Sequence, residues 1–178
     1  MNSELNPFEL TFENRWILYY HDKNNRDWSK ESFIKIMEIK NIGEFWQLYN
    51  NINFTNNIYF LMKNDIFPLW ETDENKDGGV WTINFPRKCG QKMWNLFSML
   101  LVGETMYNEE MNDDDINGIS IRPKYNQCLI KIWTKNNQNL DYFCKKYNTN
   151  EILTHTNMKL NEMKFEKHRD NNDNKIEK

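Results

Sequence analysis

The sequence predicts an α+β domain: a curved antiparallel β-sheet of about seven or eight strands, with three helices packed on its convex face. Three observations carry this. Short runs rich in β-branched and aromatic residues recur between polar, Asn-rich connections. Three stretches between them carry apolar residues at helical spacing or nearly all round. At 178 residues and 39% hydrophobic content, the chain suits a single domain with a real core.

Residues 1–11 read as an N-terminal arm, 12–160 as the domain and 161–178 as a disordered, charged tail. Residues 14–20 form the first strand candidate, with aromatics on both faces. Residues 21–27 are polar and lead to Trp28, an indole in polar surroundings. Trp28 either folds back onto the core or serves as a contact surface. Residues 32–37 are a second strand. Asn41, with Glu44 three positions on, resembles a capping box. Ile42, Phe45, Trp46, Tyr49 and Ile52 then share a helical face, which by itself makes Trp46 a core residue.

Residues 58–62 and 80–85 read as strands joined by a loop, in which Asp77-Gly78-Gly79 is expected to supply positive φ. Residues 86–92 read as a short basic connection carrying Arg87, Lys88 and Lys92. A helix follows over 93–102, apolar nearly all round, and Gly103 is placed to end it. Residues 108–115 are acidic without calcium-loop spacing, so they read as a solvated loop. Residues 116–121 and 128–133 form a hairpin in which Leu129, Lys131 and Trp133 share one face. Arg122, Lys124 and Lys131 gather near it as a basic cluster or as ordinary solvated strand charges. A last helix is expected over 140–147, and a closing strand over 151–155.

The net charge of −3 argues against a protein that tracks nucleic-acid backbone without specificity, because such proteins need a basic groove. The three cysteines are widely spaced and form no C-x-x-C, so neither a zinc site nor a disulfide framework is indicated. The start of the chain lacks the basic flank and apolar core of a signal peptide. No apolar run approaches ~20 residues, so no membrane span is expected. A reducing, cytosolic or nuclear setting follows, with no cofactor and no metal.

The chemistry concentrates at Trp70-Glu71 in the loop between the third and fourth strands. A flat aromatic beside an acceptor-only carboxylate suits a planar ligand with N–H donors on one edge, and guanine is such a ligand. Alone, the pair reads more readily as loop packing and a solvated charge. Taken with Trp16, Trp28, the run from Phe45 to Asn50, Pro68-Leu69, the Gly78-Gly79-Val80-Trp81 run, Trp94, Gly103-Glu104 and Ile132-Trp133-Thr134, it resembles the eukaryotic translation initiation factor 4E family, the mRNA cap-binding proteins. The resemblance covers about residues 12–147. All seven tryptophans match tryptophans of the family's main, translation-promoting class.

The resemblance implies a non-enzymatic, monomeric, cytoplasmic protein that binds the 7-methylguanosine cap of mRNA. Trp28 and Trp70 would sandwich the methylated base, Glu71 would accept from its N1–H and N2–H, and Trp133 would contact the methyl group. Arg122 would bind the triphosphate. The family's second phosphate-binding basic residue falls here on Leu129, so Lys131 or Lys124 would take its place, with Lys131 favoured. On the helical side, Trp46, Ile42, Met99 and Gly103 would receive a helical peptide of scaffold factor 4G or of a repressor. Asn95 and Leu96 depart from the family pattern there. They suggest, as the alternative, a cap-binding repressor of the same family. A hydrolase holding Mg²⁺ on Glu71, Asp73 and Glu74, and a generic single-strand RNA binder, are the alternatives from other classes.

Overall fold

The computed structural model describes residues 5–106, 115–136 and 163–168. In chain order these form β1 (Thr11–His21), β2 (Ile34–Asn41), α1 (Ile42–Tyr49), β3 (Ile58–Lys63), β4 (Gly79–Pro86), α2 (Arg87–Val102), β5 (Ile116–Pro123), β6 (Gln127–Thr134) and β7 (Lys164–Lys167). One seven-stranded sheet runs β2-β1-β3-β5-β6-β4-β7. Every pairing in it is antiparallel. Bulges interrupt β1 against β2 and β5 against β6; such insertions bend strands and increase twist, which suits a curved sheet.

Alternation along the strands divides the interior into two clusters. Trp16 and Leu18 of β1, Tyr59 and Leu61 of β3, and Ile130 and Ile132 of β6 pack with Met93, Trp94, Phe97 and Leu101 of α2. The intervening residues Ile17, Tyr19, Ile58, Phe60, Met62, Val80 and Trp133 face the other way and form a smaller cluster. β3 lies between β1 and β5, and all six of its residues are buried because both its faces are covered. That explains why its sequence is an unbroken apolar run.

α1 begins as its cap predicts: the Glu44 N–H donates to Asn41 Oδ1 at 2.8 Å. The Glu44 carboxylate reaches back to the Lys40 N–H at 2.7 Å, one residue earlier than a capping box requires. α2 departs from expectation. It starts at Arg87, so the presumed basic connection forms its first turns, with Pro86 as N-cap and no acidic residue in the first turn. Tertiary contacts outweigh this poor local signal. Arg87 Nη2 donates to the Thr55 carbonyl at 3.1 Å, and a Cβ at Gly90 would come within 2.5 Å of Cys128 Sγ. Gly103 does cap the helix, its N–H bonded to Met99 O at 2.9 Å.

The expected disordered tail is corrected in part: Lys164–Lys167 add to the outer side of β4 as a short edge strand. Phe165 packs on Trp81 at 5.0 Å, which anchors an otherwise charged segment. Gly78 and Gly79 are also used differently from expectation, because neither has positive φ. They admit close neighbours instead: a Cβ at Gly78 would lie 1.9 Å from Thr134 O, and one at Gly79 would lie 2.5 Å from Glu166 O. Two α-helices occur among the described residues. The expected helix at 140–147, the strand at 151–155 and the acidic run at 108–114 lie outside the described residues.

Candidate functional site

A cavity of about 270 Å³ opens on the sheet face opposite α2. Its floor is the smaller cluster: Ile58 and Phe60 from β3, Ser120 from β5 and Trp133 from β6. Trp28, Pro68, Leu69, Trp70, Glu71, Arg122 and Lys131 complete the lining. The period-2 pattern of β6 delivers Lys131 and Trp133 to this face together, and that of β5 delivers Ser120 and Arg122. Trp133 is 2% exposed. Its indole N–H donates to Ser120 Oγ at 3.0 Å, and its ring meets Phe60 edge-on at 6.0 Å.

The loop that presents Trp70 and Glu71 is built around Asn75, which is 1% exposed. The Asn75 side-chain amide donates to the carbonyls of Phe67 (2.9 Å) and Leu69 (2.8 Å) and to Thr72 Oγ1 (3.0 Å). Asn75 Oδ1 accepts from Asn117 Nδ2 at 2.9 Å, and Asn117 also donates to Glu74 O at 2.8 Å. A buried amide pair thus ties the loop to β5. Buried polar groups without partners are costly, so this satisfied network holds the loop in one shape.

Trp28 sits on a different kind of loop. Asn24, Asp27 and Ser29 each donate a backbone N–H to the side chain two residues earlier. Ser29, through its N–H and then its hydroxyl, holds the Asp27 carboxyl below its ordinary value. The Trp28 indole is 41% exposed. It stacks on His21, with centroids 4.1 Å apart and planes 4° apart. His21 is fully buried, and its Nε2 meets Asp27 O at 2.8 Å.

Two cations reach the walls. The Arg122 guanidinium lies 5.8 Å from the Trp28 ring centroid, and the Lys131 ammonium lies 5.8 Å from that of Trp70. Lys131 also pairs with Glu166 of β7 at 3.5 Å. Lys124 is not among the lining residues: it is exposed at the β5–β6 turn, where its backbone N–H donates to Gln127 O at 2.7 Å. Behind Trp70 and Trp133 sits His168. Burial first, and then the Lys131 charge, push its pKa down to about 4, so the ring is neutral above that pH.

The second predicted set lies on the helices. Trp46 is 40% exposed on α1, so it is not the core residue that its place on the apolar stripe suggests. Ile42 and Met99 are partly buried, and Gly103 is exposed at the end of α2. Asn95 is tied down: its Oδ1 accepts from Gln91 Nε2 at 2.9 Å, while Gln91 Oε1 accepts from the Phe54 N–H at 2.8 Å.

Among the described residues no group of three or more metal-ligating side chains is assembled. Glu71, Asp73 and Glu74 do not form such a group, and Asp73 pairs with Lys76. Also among the described residues, no helix is long and apolar enough to cross a membrane.

Sequence reasoning missed Asn75, Asn117, Ser120, His21, Glu166 and His168. Only the last two left a trace. Phe165 flanked by Glu166 and preceded by Met163 is a short alternating pattern in a charged segment.

The family model for eukaryotic initiation factor 4E matches residues 11–178. Eukaryotic translation initiation factor 4E of Dictyostelium discoideum is 32% identical over 142 residues, covering 75% of this chain and 55% of that protein. The Xenopus laevis factor is 29% identical over 139 residues, covering 72% and 63%. The chain thus spans less than two thirds of the length of these relatives. Among solved structures, Caenorhabditis elegans eIF4E-3 with the 4E-binding protein Mextli and cap analog has a TM-score of 0.75. It is 22% identical and the match covers 92% of this chain and 95% of that one. Ascaris suum eIF4E-3 with m7G cap has a TM-score of 0.72, at 21% identity and 89% and 91% coverage. At these identities the structural likeness is one of fold.

Proposed function

Because the chain belongs to the eukaryotic initiation factor 4E family, we propose that it binds the 7-methylguanosine 5′ cap of mRNA in the cavity described above and recruits a translation scaffold through α1 and α2. The observation that carries this is convergence. Trp28, Trp70-Glu71, Arg122 and the Lys131–Trp133 pair come from four separate stretches of chain and line one cavity. The eIF4E-3 complexes with m7G cap and with cap analog support the ligand class.

N7 methylation gives guanine a delocalised positive charge. Each indole face can then contribute about 0.5–2 kcal/mol of stacking and cation–π attraction. Trp28 and Trp70 take the two faces of the base, and Trp133 meets the methyl group from the floor. Glu71 accepts from N1–H and N2–H, a charge-assisted pair that selects guanine. The base replaces the Arg122 and Lys131 head groups at the indole faces and leaves both cations for the triphosphate. Lys124, exposed on the β5–β6 turn, is the alternative partner for the triphosphate.

On the opposite side, Trp46, Ile42, Met99 and Gly103 form the docking site for a helical partner peptide, and the eIF4E-3 complex with a 4E-binding protein supports that class of partner. The tethering of Asn95 by Gln91 favours a second reading, a cap-binding repressor with weakened scaffold affinity, because it places a committed polar pair on the helix that receives the peptide.

Titration of 7-methyl-GTP and of GTP, followed by tryptophan fluorescence, tests the cap reading. Saturable quenching by the methylated ligand alone, lost in Trp70→Ala, is the expected result. Equal responses to both ligands would overturn it. Trp46→Ala is expected to keep cap binding and lose a helical scaffold peptide.

A further inference from the structure

The back of the cavity is closed by a residue that does not line it. His168 is 1% exposed and lies one position past β7. Its backbone N–H donates to Gly78 O at 3.1 Å, which fixes it where the Trp70 loop enters β4. The imidazole centroid is 5.8 Å from that of Trp70 with planes 24° apart, and 5.1 Å from that of Trp133 with planes 37° apart. Neither ring nitrogen has a hydrogen-bond partner among the described residues. The imidazole is therefore held by ring contacts, one nearly parallel to Trp70 and one tilted to Trp133, and not by hydrogen bonds. Glu166, on the same side of β7, pairs with Lys131 and ties this segment to β6.

The Asn75 network fixes the backbone of the Trp70 loop, but its bonds end on the carbonyls of Phe67 and Leu69 and on Thr72. None of them reaches the Trp70 side chain. An unrestrained indole gives up rotamer freedom when a ligand stacks on it, and that loss weakens binding. Among the described residues, His168 is the aromatic contact on the Trp70 indole, beside the smaller core cluster and the Lys131 ammonium.

We propose that His168 is a positioning residue: its ring, wedged against Trp70 and Trp133, fixes the Trp70 indole in the orientation that receives one face of the methylated base. This rests on the cap-binding reading. His168 acts through Trp70 and Trp133, because it is not among the residues lining the cavity. What it supplies is a flat ring of the right thickness. A Phe at 168 keeps that ring, a Leu keeps much of the volume without it, and an Ala keeps neither.

The test compares 7-methyl-GTP affinity, by fluorescence titration near pH 7.5, in the unaltered chain and in His168→Phe, His168→Leu and His168→Ala, with thermal melts to establish that each is folded. Aromatic contacts of this kind correspond to about three- to tenfold in affinity. His168→Phe is expected to bind within about twofold of the unaltered chain, and His168→Leu to lose about three- to tenfold while melting cooperatively. His168→Ala is expected to lose at least as much. Rescue by Phe and not by Leu separates a stacking role from mere filling of space. Unchanged affinity in a folded His168→Leu, or equal losses in Phe and Leu, would overturn the proposal while leaving cap binding standing. Failure of the unaltered chain to bind 7-methyl-GTP would overturn the cap reading itself, and this proposal with it.

Discussion

The two loops that carry Trp70 and Trp28 border the same cavity and are held in opposite ways. The Trp70 loop is pinned from inside: Asn75 is buried, bonds three groups of its own loop and is itself bonded by Asn117 of β5. The Trp28 loop is held mostly by one-residue-skip turns among exposed side chains, and meets the interior at one buried residue, His21, which stacks on Trp28 and contacts Asp27 O. One wall is built before a ligand arrives and the other can adjust to it. The carboxylate that would discriminate guanine, Glu71, belongs to the fixed wall. Under the cap-binding reading, selectivity would reside on the pinned side and closure on the other.

The largest test of this contrast is Asn75→Ala. It removes the bonds that join the loop to itself and to Asn117, while the Phe67 and Leu69 carbonyls keep the Leu69 N–H and the Thr72 hydroxyl and Asn117 keeps Glu74 O, so a loss of about 2–3 kcal/mol is expected in urea unfolding, together with reduced cap affinity. A loss below about 1 kcal/mol would mean the wall is not pinned by this network. Next is the pH dependence of stability through His168. Its folded pKa of about 4 lies below the ordinary 6.5, so between these values the unfolded chain binds the proton and the folded chain does not. Stability therefore falls as pH drops from about 6.5 to about 4, by at most about 3 kcal/mol for this group. Among the described residues, Lys131 on β6 reinforces the effect, and it is itself paired with Glu166 on β7. Comparison with His168→Phe isolates the share of this residue, since the variant should lack that part of the slope.

Glu71→Gln should reduce 7-methyl-GTP affinity about 30- to 300-fold, because one acceptor becomes a donor facing donors. Its melting temperature should not change, since Glu71 is exposed. The smallest effect is expected from Asp27→Ala, which removes the turn bonds to Ser29. A compliant wall should absorb this with less than about a threefold change in affinity. A loss comparable to that of Glu71→Gln would erase the distinction between the loops.

Much of this architecture can be read from residue order, and the exceptions share a cause. β1, β3 and the β5–β6 hairpin announce themselves because each must fill one or both sheet faces with apolar side chains. Trp70-Glu71 stands out only in company: alone it reads as loop packing and a solvated charge, and the spaced tryptophans around it are what mark it. The start of α2 is hidden because Pro86, Arg87 and Lys88 are poor local signals whose contacts lie with Thr55 and Cys128, far off in sequence. Asn75 is hidden in a chain crowded with asparagines: nothing local distinguishes the buried one from those in turns. β7 is hidden because an edge strand needs only one good anchor, Phe165, and can be charged elsewhere. Trp46 was legible only by resemblance, since its own helical stripe points to the core.

β7 has a further consequence, one of timing. It joins β4 across some eighty residues of intervening chain, through a pairing of Gly79 with Lys167 and Thr82 with Lys164. During synthesis every other strand of the sheet can be in place before that partner emerges. The groove is therefore roofed early and sealed at the rear late, and a nascent chain halted before Met163 would carry both tryptophan loops but lack the wedge that steadies one of them. Under the cap-binding reading, full affinity would follow completion of the sheet rather than its beginning.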